Sequence, residues 1–214
     1  MSAEKNRTPV RPGQLGALQP RSSYVAAPLG AVSNSLAFPT EVLATDIERD
    51  DLVLHPDTLR QVQAMARQLA PGSAASGLGA SSPGYRALFY GPAGAGKTLT
   101  AAVLSKYLGK KIVRIDAAQV VAKYSSETEK NLARLFEQAE TNNWVLFFDE
   151  ADALFGKRTG IRNAHDKYAN QEASNLLQRL EAYKGVVILA AEHRTNLDDA
   201  FLRRLRTIIQ FPAL

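Results

Sequence analysis

Cysteine is absent from the 214-residue sequence. Its absence excludes disulfide bridges, cysteine-ligated zinc and thiol catalysis, and it is typical of proteins that work in a reducing compartment. Long apolar runs are also missing, because no stretch approaches the roughly 18 consecutive apolar residues that a membrane-spanning helix needs. The first residues lack the apolar core of a secretory signal. These absences together predict a cytoplasmic protein.

Dense basic stretches are scarce as well, although the formal net charge is +5. The positive residues are spread along the chain, with small groups in the first 21 residues, at Lys157–Arg158 and at Arg203–Arg206. A nucleic-acid interface would need a basic stripe interleaved with aromatic residues, and the sequence has none. We therefore do not expect nucleic acid to be the primary partner.

Residues 1–45 have the composition of a flexible tail or linker. Five of the ten prolines fall there, among alanine, serine and glycine, without hydrophobic periodicity. The start of this stretch faintly resembles an organelle transit peptide, because it carries arginine and serine with few acids, but a disordered tail explains it better. We expect the ordered domain to cover residues 46–214.

The rest of the chain alternates short apolar runs with amphipathic stretches. This pattern predicts strands at 87–90, 112–115, 144–148 and 186–190, and helices at 58–69, 97–108, 127–140 and 165–183. The run 144–148 is apolar throughout, as expected of a parallel strand that is covered on both faces. The predicted fold class is therefore α/β, with helices on both sides of a central parallel sheet.

The segment between the first of these strands and the following helix fits the phosphate-binding pattern G-x-x-x-x-G-K-[ST] at every fixed position. Glycines there let backbone N–H groups approach phosphate oxygens, and the helix directs its positive end at the same anion. Lys97 would contact the β- and γ-phosphates, and Thr98 would supply an oxygen ligand to Mg²⁺. The predicted ATP site is the run Gly91, Pro92, Ala93, Gly94, Ala95, Gly96, Lys97, Thr98 and Leu99.

Two acidic residues follow the apolar run 144–148. Asp149 is placed to hold Mg²⁺ through its water shell, and Glu150 to polarise the water that attacks the γ-phosphate. A solvated acidic turn is the alternative interpretation, which the phosphate motif disfavours. An acidic pair, rather than an aspartate followed by an apolar residue, favours a hydrolase over a nucleotide kinase.

Three segments together resemble the AAA+ ATPase module over roughly residues 46–212, namely Gly91–Thr98, Phe148–Asp152 and Asn196–Arg204. This resemblance implies the three-layer αβα domain of the P-loop NTPases, with ATP and Mg²⁺ as cofactors. It also implies a hexameric ring that hydrolyses ATP to remodel proteins.

A narrower resemblance rests on shorter runs at 123–132, 154–158, 165–170 and 201–206. These are similar to the AAA ATPase encoded with bacterial contractile injection systems, the phage-tail-like particles. The likeness implies a role in the assembly or handling of such a particle.

The resemblance further implies roles for individual residues. Tyr124 matches the first pore loop, whose aromatic ring grips a polypeptide in the central channel; an ordinary core aromatic beside a helix is the alternative. Arg204, with Arg206 as its companion, matches the arginine-finger positions, where a guanidinium reaches the γ-phosphate held by a neighbouring subunit. The alternative for this pair is a basic turn at a helix end.

Three departures from the family pattern bear on function. Glu192 stands where the family usually has the first-sensor asparagine; a carboxylate there repels the γ-phosphate and has no N–H to donate, so we expect slow hydrolysis. Ser126 replaces the usual pore-loop glycine. The C-terminal helical lid that normally follows the core does not appear before Leu214. The sequence leaves open whether the chain is a fragment or is naturally shortened.

Three functions remain open at this stage. The set Lys97, Thr98, Asp149, Glu150 and Arg204 favours an ATP-driven protein remodeller that acts as a ring. Glu192 and the missing lid would suit a nucleotide-dependent switch or adaptor with little or no hydrolysis. A DNA-directed motor or loader is the third alternative.

Overall fold

The computed structural model describes residues 25–28, 40–70, 84–122, 125–156 and 175–213. These ranges contain seven strands: β1 Val25–Pro28, β2 Thr40–Ala44, β3 Tyr85–Tyr90, β4 Ile112–Asp116, β5 Val145–Asp149, β6 Val186–Ala191 and β7 Thr207–Gln210. They form one sheet in the order β1-β2-β4-β5-β6-β3-β7. The five strands from β4 to β7 in this order pair in parallel, whereas β1 and β2 pair antiparallel at one edge.

Helices connect the strands and lie on both faces of the sheet. They are α1 Pro56–Leu69, α2 Lys97–Leu108, α3 Ala117–Ala122, α4 Ser126–Thr141, α5 Asp152–Phe155, α6 175–182 and α7 Asp199–Leu202. Short 3-10 turns lie at Arg49–Asp51 and Arg194–Asn196. Across the ranges that the structure describes, no helix combines the length and apolarity needed to cross a membrane.

Alternate side chains of the central strands enter two separate cores. In β5, Leu146 and Phe148 pack into the core that also holds the buried faces of α4, α6 and α7. Val145 and Phe147 of the same strand pack into the opposite core, with α1 and α2. Since successive residues of a strand point to opposite faces, a strand that is covered on both sides must be apolar at every position.

The predicted fold class is confirmed, and each predicted strand is present with its ends shifted by at most two residues. Of the predicted helices, 58–69, 97–108 and 127–140 correspond to α1, α2 and α4. The helix predicted at 165–183 is helical over 175–182, and its first part lies outside the described residues.

The structure differs from the sequence prediction within residues 1–45, where we expected a tail without secondary structure. Here β1 and β2 extend the sheet beyond β4, with Leu43 opposite Ile112 and Thr40 opposite Ile115. Burial along β2 does not alternate, because Thr40 and Leu43 are buried while the residues between them are half-buried. A short strand with this pattern carries no period-2 signal, so only its pairing with β4 reveals it.

Candidate active site

Three neighbouring strands bring the predicted phosphate-binding loop, the acidic pair and Glu192 to one edge of the sheet. β3 leads into the glycine-rich loop, β5 ends at Asp149, and β6, which lies between them, is followed by Glu192. Backbone bonds hold these ends together: Gly91 N–H donates to the Ala191 carbonyl at 3.1 Å, and Ala151 N–H donates to the Ala190 carbonyl at 2.8 Å. Ligands of open α/β sheets bind at this carboxyl edge.

The loop requires glycine at its first position for a steric reason. Gly91 has φ 152°, and a Cβ built on it would lie 1.9 Å from the carbonyl oxygen of Phe211. Phe211 N–H in turn donates to the Tyr90 carbonyl at 2.7 Å, so the strand that causes this close approach is fixed in place. Pro92, Ala93 and Gly94 follow on the exposed outer side of the loop, and Ala95 is buried beneath it.

The amino end of α2 closes the loop. Its N-cap is Gly96, in the left-handed region at φ 91°, which has no side chain to accept hydrogen bonds from the first turn. The helix therefore presents its amide N–H groups to an external acceptor, and its dipole favours an anion there. Thr98 and Leu99 lie half-buried in this turn.

Lys97 folds back over the same loop. Its Nζ donates to the carbonyl oxygens of Gly91 at 2.6 Å and Pro92 at 2.9 Å. Burial lowers the pKa of Lys97 below its ordinary value, and three neighbouring carboxylates oppose that shift: Asp149, Glu192 and Asp152. A glycine loop, an uncapped helix start and a lysine ammonium form a donor set that fits a phosphate group.

Asp149 has both carboxylate oxygens engaged within the chain. Its Oδ1 accepts the Glu150 N–H at 3.1 Å. Its Oδ2 accepts from Arg114, whose Nε lies at 3.0 Å and Nη2 at 2.9 Å. The remaining nitrogen of that guanidinium, Nη1, donates to Glu41 Oε2 at 3.0 Å. Asp149 is therefore paired with a cation on the neighbouring strand β4.

Glu150 is exposed and has an unusual backbone, with φ 53°. Partial burial raises the pKa of its carboxyl, and three neighbouring carboxylates raise it further: Asp116, Asp149 and Asp152. Arg114 acts in the opposite direction. A carboxylate with a raised pKa, free to face solvent at the edge of a phosphate loop, is suited to accept a proton from water.

The oxygen ligands near the loop suit Mg²⁺ only in combination with a phosphate. In the part of the chain that the structure describes, no group of three or more His, Asp or Glu residues could hold a metal by itself. Mg²⁺ is usually held by one or two protein oxygens, substrate phosphates and waters. Thr98 Oγ and the Asp149 carboxylate, beside the loop, are consistent with that mode of binding.

Arg204 and Arg206 lie at the opposite edge of the sheet. The Arg206 N–H donates to the Arg86 carbonyl at 2.9 Å, at the start of β3. Its guanidinium lies 5.3 Å from the centroid of the Tyr85 ring, and Arg204 forms an ion pair with Glu181 of α6. The length of β3, about 17 Å at 3.3–3.4 Å per residue, therefore separates both arginines from the loop of the same chain.

Tyr124 lies outside the described residues, so its proposed pore-loop contact stays a prediction. Sequence reasoning missed Arg114 and its partner Glu41. A signal was present, because Arg114 is a charged residue inside an otherwise apolar predicted strand, and such a residue is rarely buried without a partner. The identity of that partner could not be deduced, since Glu41 lies 73 positions away.

The left-handed backbone of Glu150 leads to a stability prediction. Left-handed geometry costs a residue with a Cβ about 1–2 kcal/mol, whereas glycine adopts it freely. We therefore expect Glu150→Gly to be more stable than Glu150→Ala, by about 1 kcal/mol in the free energy of unfolding. Both variants lack the carboxylate, so their comparison isolates the backbone effect, and urea unfolding followed by Trp144 fluorescence measures it.

The matched control is Glu137, an exposed position inside α4. At such a position glycine is less favourable than alanine by about 0.8–1.0 kcal/mol, so the order of the two variants should be reversed. If alanine were more stable than glycine at both positions, the result would contradict the left-handed conformation of Glu150.

The family of the chain is indicated by comparison with known proteins. Residues 87–213, more than half of the chain, match the family model described as "ATPase family associated with various cellular activities (AAA)". The chain is 35% identical over 136 residues to the "Cell division protein C" of Sulfolobus acidocaldarius, a match that covers 58% of this chain and 36% of that protein. It is 32% identical over 118 residues to the "Cell division cycle protein 48 homolog" of Archaeoglobus fulgidus, covering 55% of this chain and 16% of that protein. The chain thus spans well under half the length of either relative.

Proposed function

Since the chain belongs to the AAA family of ATPases, we propose that it binds ATP with Mg²⁺ at the carboxyl edge of its sheet and hydrolyses it within a ring of six copies, to remodel a protein substrate. One observation carries this proposal. The glycine-rich loop, the start of α2, Asp149 and Glu150 all lie at one edge of the sheet, where Asp149 is close enough to act on the half-buried ammonium of Lys97.

In this proposal each group has a distinct role. The loop N–H groups and the amino end of α2 hold the phosphates, and Lys97 turns from the Gly91 and Pro92 carbonyls to the β- and γ-phosphates. Thr98 and Asp149 hold Mg²⁺, which when bound neutralises charge on the phosphates. Glu150 accepts the proton of the attacking water.

Arg204 and Arg206 act on a neighbour in this proposal. They lie at the amino edge of the sheet, too far from the loop of their own chain to reach its phosphates. Both side chains are at the exposed surface, where another copy of the chain could present its nucleotide. Hydrolysis should therefore depend on assembly, because an arginine finger contributes on the order of 10³–10⁵ to the rate in P-loop enzymes.

The first test is steady-state ATP hydrolysis per chain over a range of protein concentrations. We expect the specific activity to rise with concentration, because active sites form between copies, and we expect Glu150→Gln to abolish it. Activity that survives in Glu150→Gln at full level would contradict the role of this carboxylate.

A mixing experiment separates action between subunits from a general loss of folding. Lys97→Ala and Arg204→Ala should each be inactive alone, for different reasons. Mixed, they should regain part of the activity, since the first supplies arginines and the second supplies intact nucleotide sites. Mixtures no more active than their components, in rings of unchanged size, would argue against a shared site.

Glu192 should slow the reaction. Its carboxylate lies close enough to Lys97 to influence that ammonium, and it would repel a γ-phosphate bound there. We expect Glu192→Asn to raise kcat on the order of tenfold, the effect of about 1.4 kcal/mol on the barrier. Glu137→Asn is the control for the loss of one surface carboxylate, and equal kcat values for the two variants would count against this role.

A nucleotide-dependent switch is the second candidate function. The same position of Glu192 favours it, because strong repulsion of the γ-phosphate would permit binding while preventing turnover. ATP binding without hydrolysis above the Glu150→Gln level, at all protein concentrations, would support the switch over the motor.

We further propose that the remodelled protein belongs to a contractile injection particle. This proposal is supported by the likeness of the short runs at 123–132 and 201–206 to the ATPases of such systems. In it, Tyr124 contacts the polypeptide that passes through the ring. ATP-loaded Glu150→Gln should then retain tail-sheath or tube proteins in a pull-down, and Glu150→Gln with Tyr124→Ala should not. Equal retention by both variants would contradict the role of Tyr124.

A further inference from the structure

Arg114 connects the candidate Mg²⁺ carboxylate to a strand near the amino terminus of the chain. Two of its nitrogens lie 3.0 and 2.9 Å from Asp149 Oδ2, and the third lies 3.0 Å from Glu41 Oε2. Glu41 is in β2, directly opposite Arg114 in the register of β2 with β4. It lies outside the residues 87–213 that match the family model.

We propose that Arg114 is a positioning residue for Asp149, and that Glu41 holds Arg114 in the required orientation. The strand β2 would thereby form part of the nucleotide site. The inference rests on the proposed function, because the orientation of Asp149 matters for turnover only if this carboxylate serves Mg²⁺ and ATP.

The surroundings of Asp149 explain why it needs a fixed orientation. It sits opposite Asp116 in the register of β4 with β5, and Glu150 and Asp152 follow it along the chain. Like charges at this spacing repel one another, and an unrestrained carboxylate would rotate away from its neighbours. Arg114 binds Oδ2 with two N–H groups while the Glu150 N–H binds Oδ1, so both oxygens are restrained.

Glu41 restrains the arginine in turn. The guanidinium is planar, so a third bond from Nη1 to Glu41 prevents the fork from rotating out of the plane that reaches Asp149. Arg114 and Asp149 are mostly buried, with 29% and 19% of their side chains exposed, while Glu41 at 38% lies nearer the surface. Groups that orient a metal ligand in this way typically affect metal affinity about 10- to 100-fold.

Charge and orientation predict opposite effects when Arg114 is removed. If Arg114 acted only as a nearby cation, its loss would tighten Mg²⁺ binding, because like charges repel. If it orients Asp149, its loss weakens Mg²⁺ binding. Arg114→Lys distinguishes the two further, because lysine keeps the charge but has no planar fork that could bind Asp149 and Glu41 together.

The experiment uses the Glu150→Gln background, in which nothing turns over. The Kd of a fluorescent ATP analogue is measured with Mg²⁺ and with EDTA, for the full chain and for Arg114→Met, Arg114→Lys and Glu41→Ala. We expect both Arg114 variants to weaken binding with Mg²⁺ by about tenfold, with binding in EDTA unchanged. Tighter binding with Mg²⁺ in Arg114→Met, or full rescue by lysine, would overturn the proposal.

Glu41→Ala tests the contribution of β2 and remains informative if the Arg114 variants fail to fold. Among the described contacts, Glu41 reaches the site only through Arg114, so a Mg²⁺-specific loss of several-fold would show the coupling. Unchanged binding with Mg²⁺ would overturn it. Lys106→Met is the matched control, because it removes another ion pair that ties the amino-terminal region to the core, Lys106 to Glu48 at 2.6 Å.

Two further measurements keep this test separate from that of the proposed function. If the Glu150→Gln chain binds no nucleotide with Mg²⁺, the proposed function fails before Arg114 is considered. Suppose instead that the Glu150→Gln chain binds nucleotide and that the wild type hydrolyses ATP. If the Arg114 and Glu41 variants then have the same Kd as the Glu150→Gln chain, both with Mg²⁺ and in EDTA, only the positioning role fails. In the wild-type background Arg114→Lys should raise the KM for MgATP in parallel with this Kd, whereas a purely structural role would lower the midpoint of urea unfolding instead.

Discussion

Parallel backbone pairing of β6 with both β3 and β5 is the constraint on which the rest of the structure depends. Because parallel strands end at the same edge, this pairing brings the glycine loop, the acidic pair and Glu192 together from distant parts of the chain. The pairing is possible only because these strands are buried on both faces, in the two cores that the surrounding helices complete. The position of the site is therefore a consequence of how the core is packed.

The site at this edge is a balance of opposite charges. Lys97 and Arg114 face a larger group of carboxylates, and the pKa of Lys97 is lowered by burial while those carboxylates oppose the shift. Burial and neighbouring carboxylates raise the pKa of Glu150. A cation that arrives with a nucleotide would offset this excess of negative charge, which is the physical reason why the proposed function associates the edge with Mg²⁺ and ATP together.

The opposite edge of the sheet has a different chemistry. There Arg204 pairs with Glu181, and Arg206 stacks on Tyr85 at the start of β3. A single chain keeps these arginines apart from its own phosphate loop by the length of a strand. Two copies placed edge to edge would bring them together, which is the arrangement that the proposed arginine-finger role requires.

Much of this protein was predictable from local sequence. The glycine loop, the apolar strand before Asp149 and the helices on either side are each specified by residues that are adjacent in the chain, because turn geometry and side-chain periodicity are local properties. Even so, the strands within residues 25–44 were missed, since β2 has no period-2 pattern and is stabilised by its pairing with β4. The contacts of Arg114 with Asp149 and Glu41 were likewise decided by tertiary structure. These three residues are far apart in sequence, and only the strand order β2-β4-β5 places their side chains within hydrogen-bonding distance.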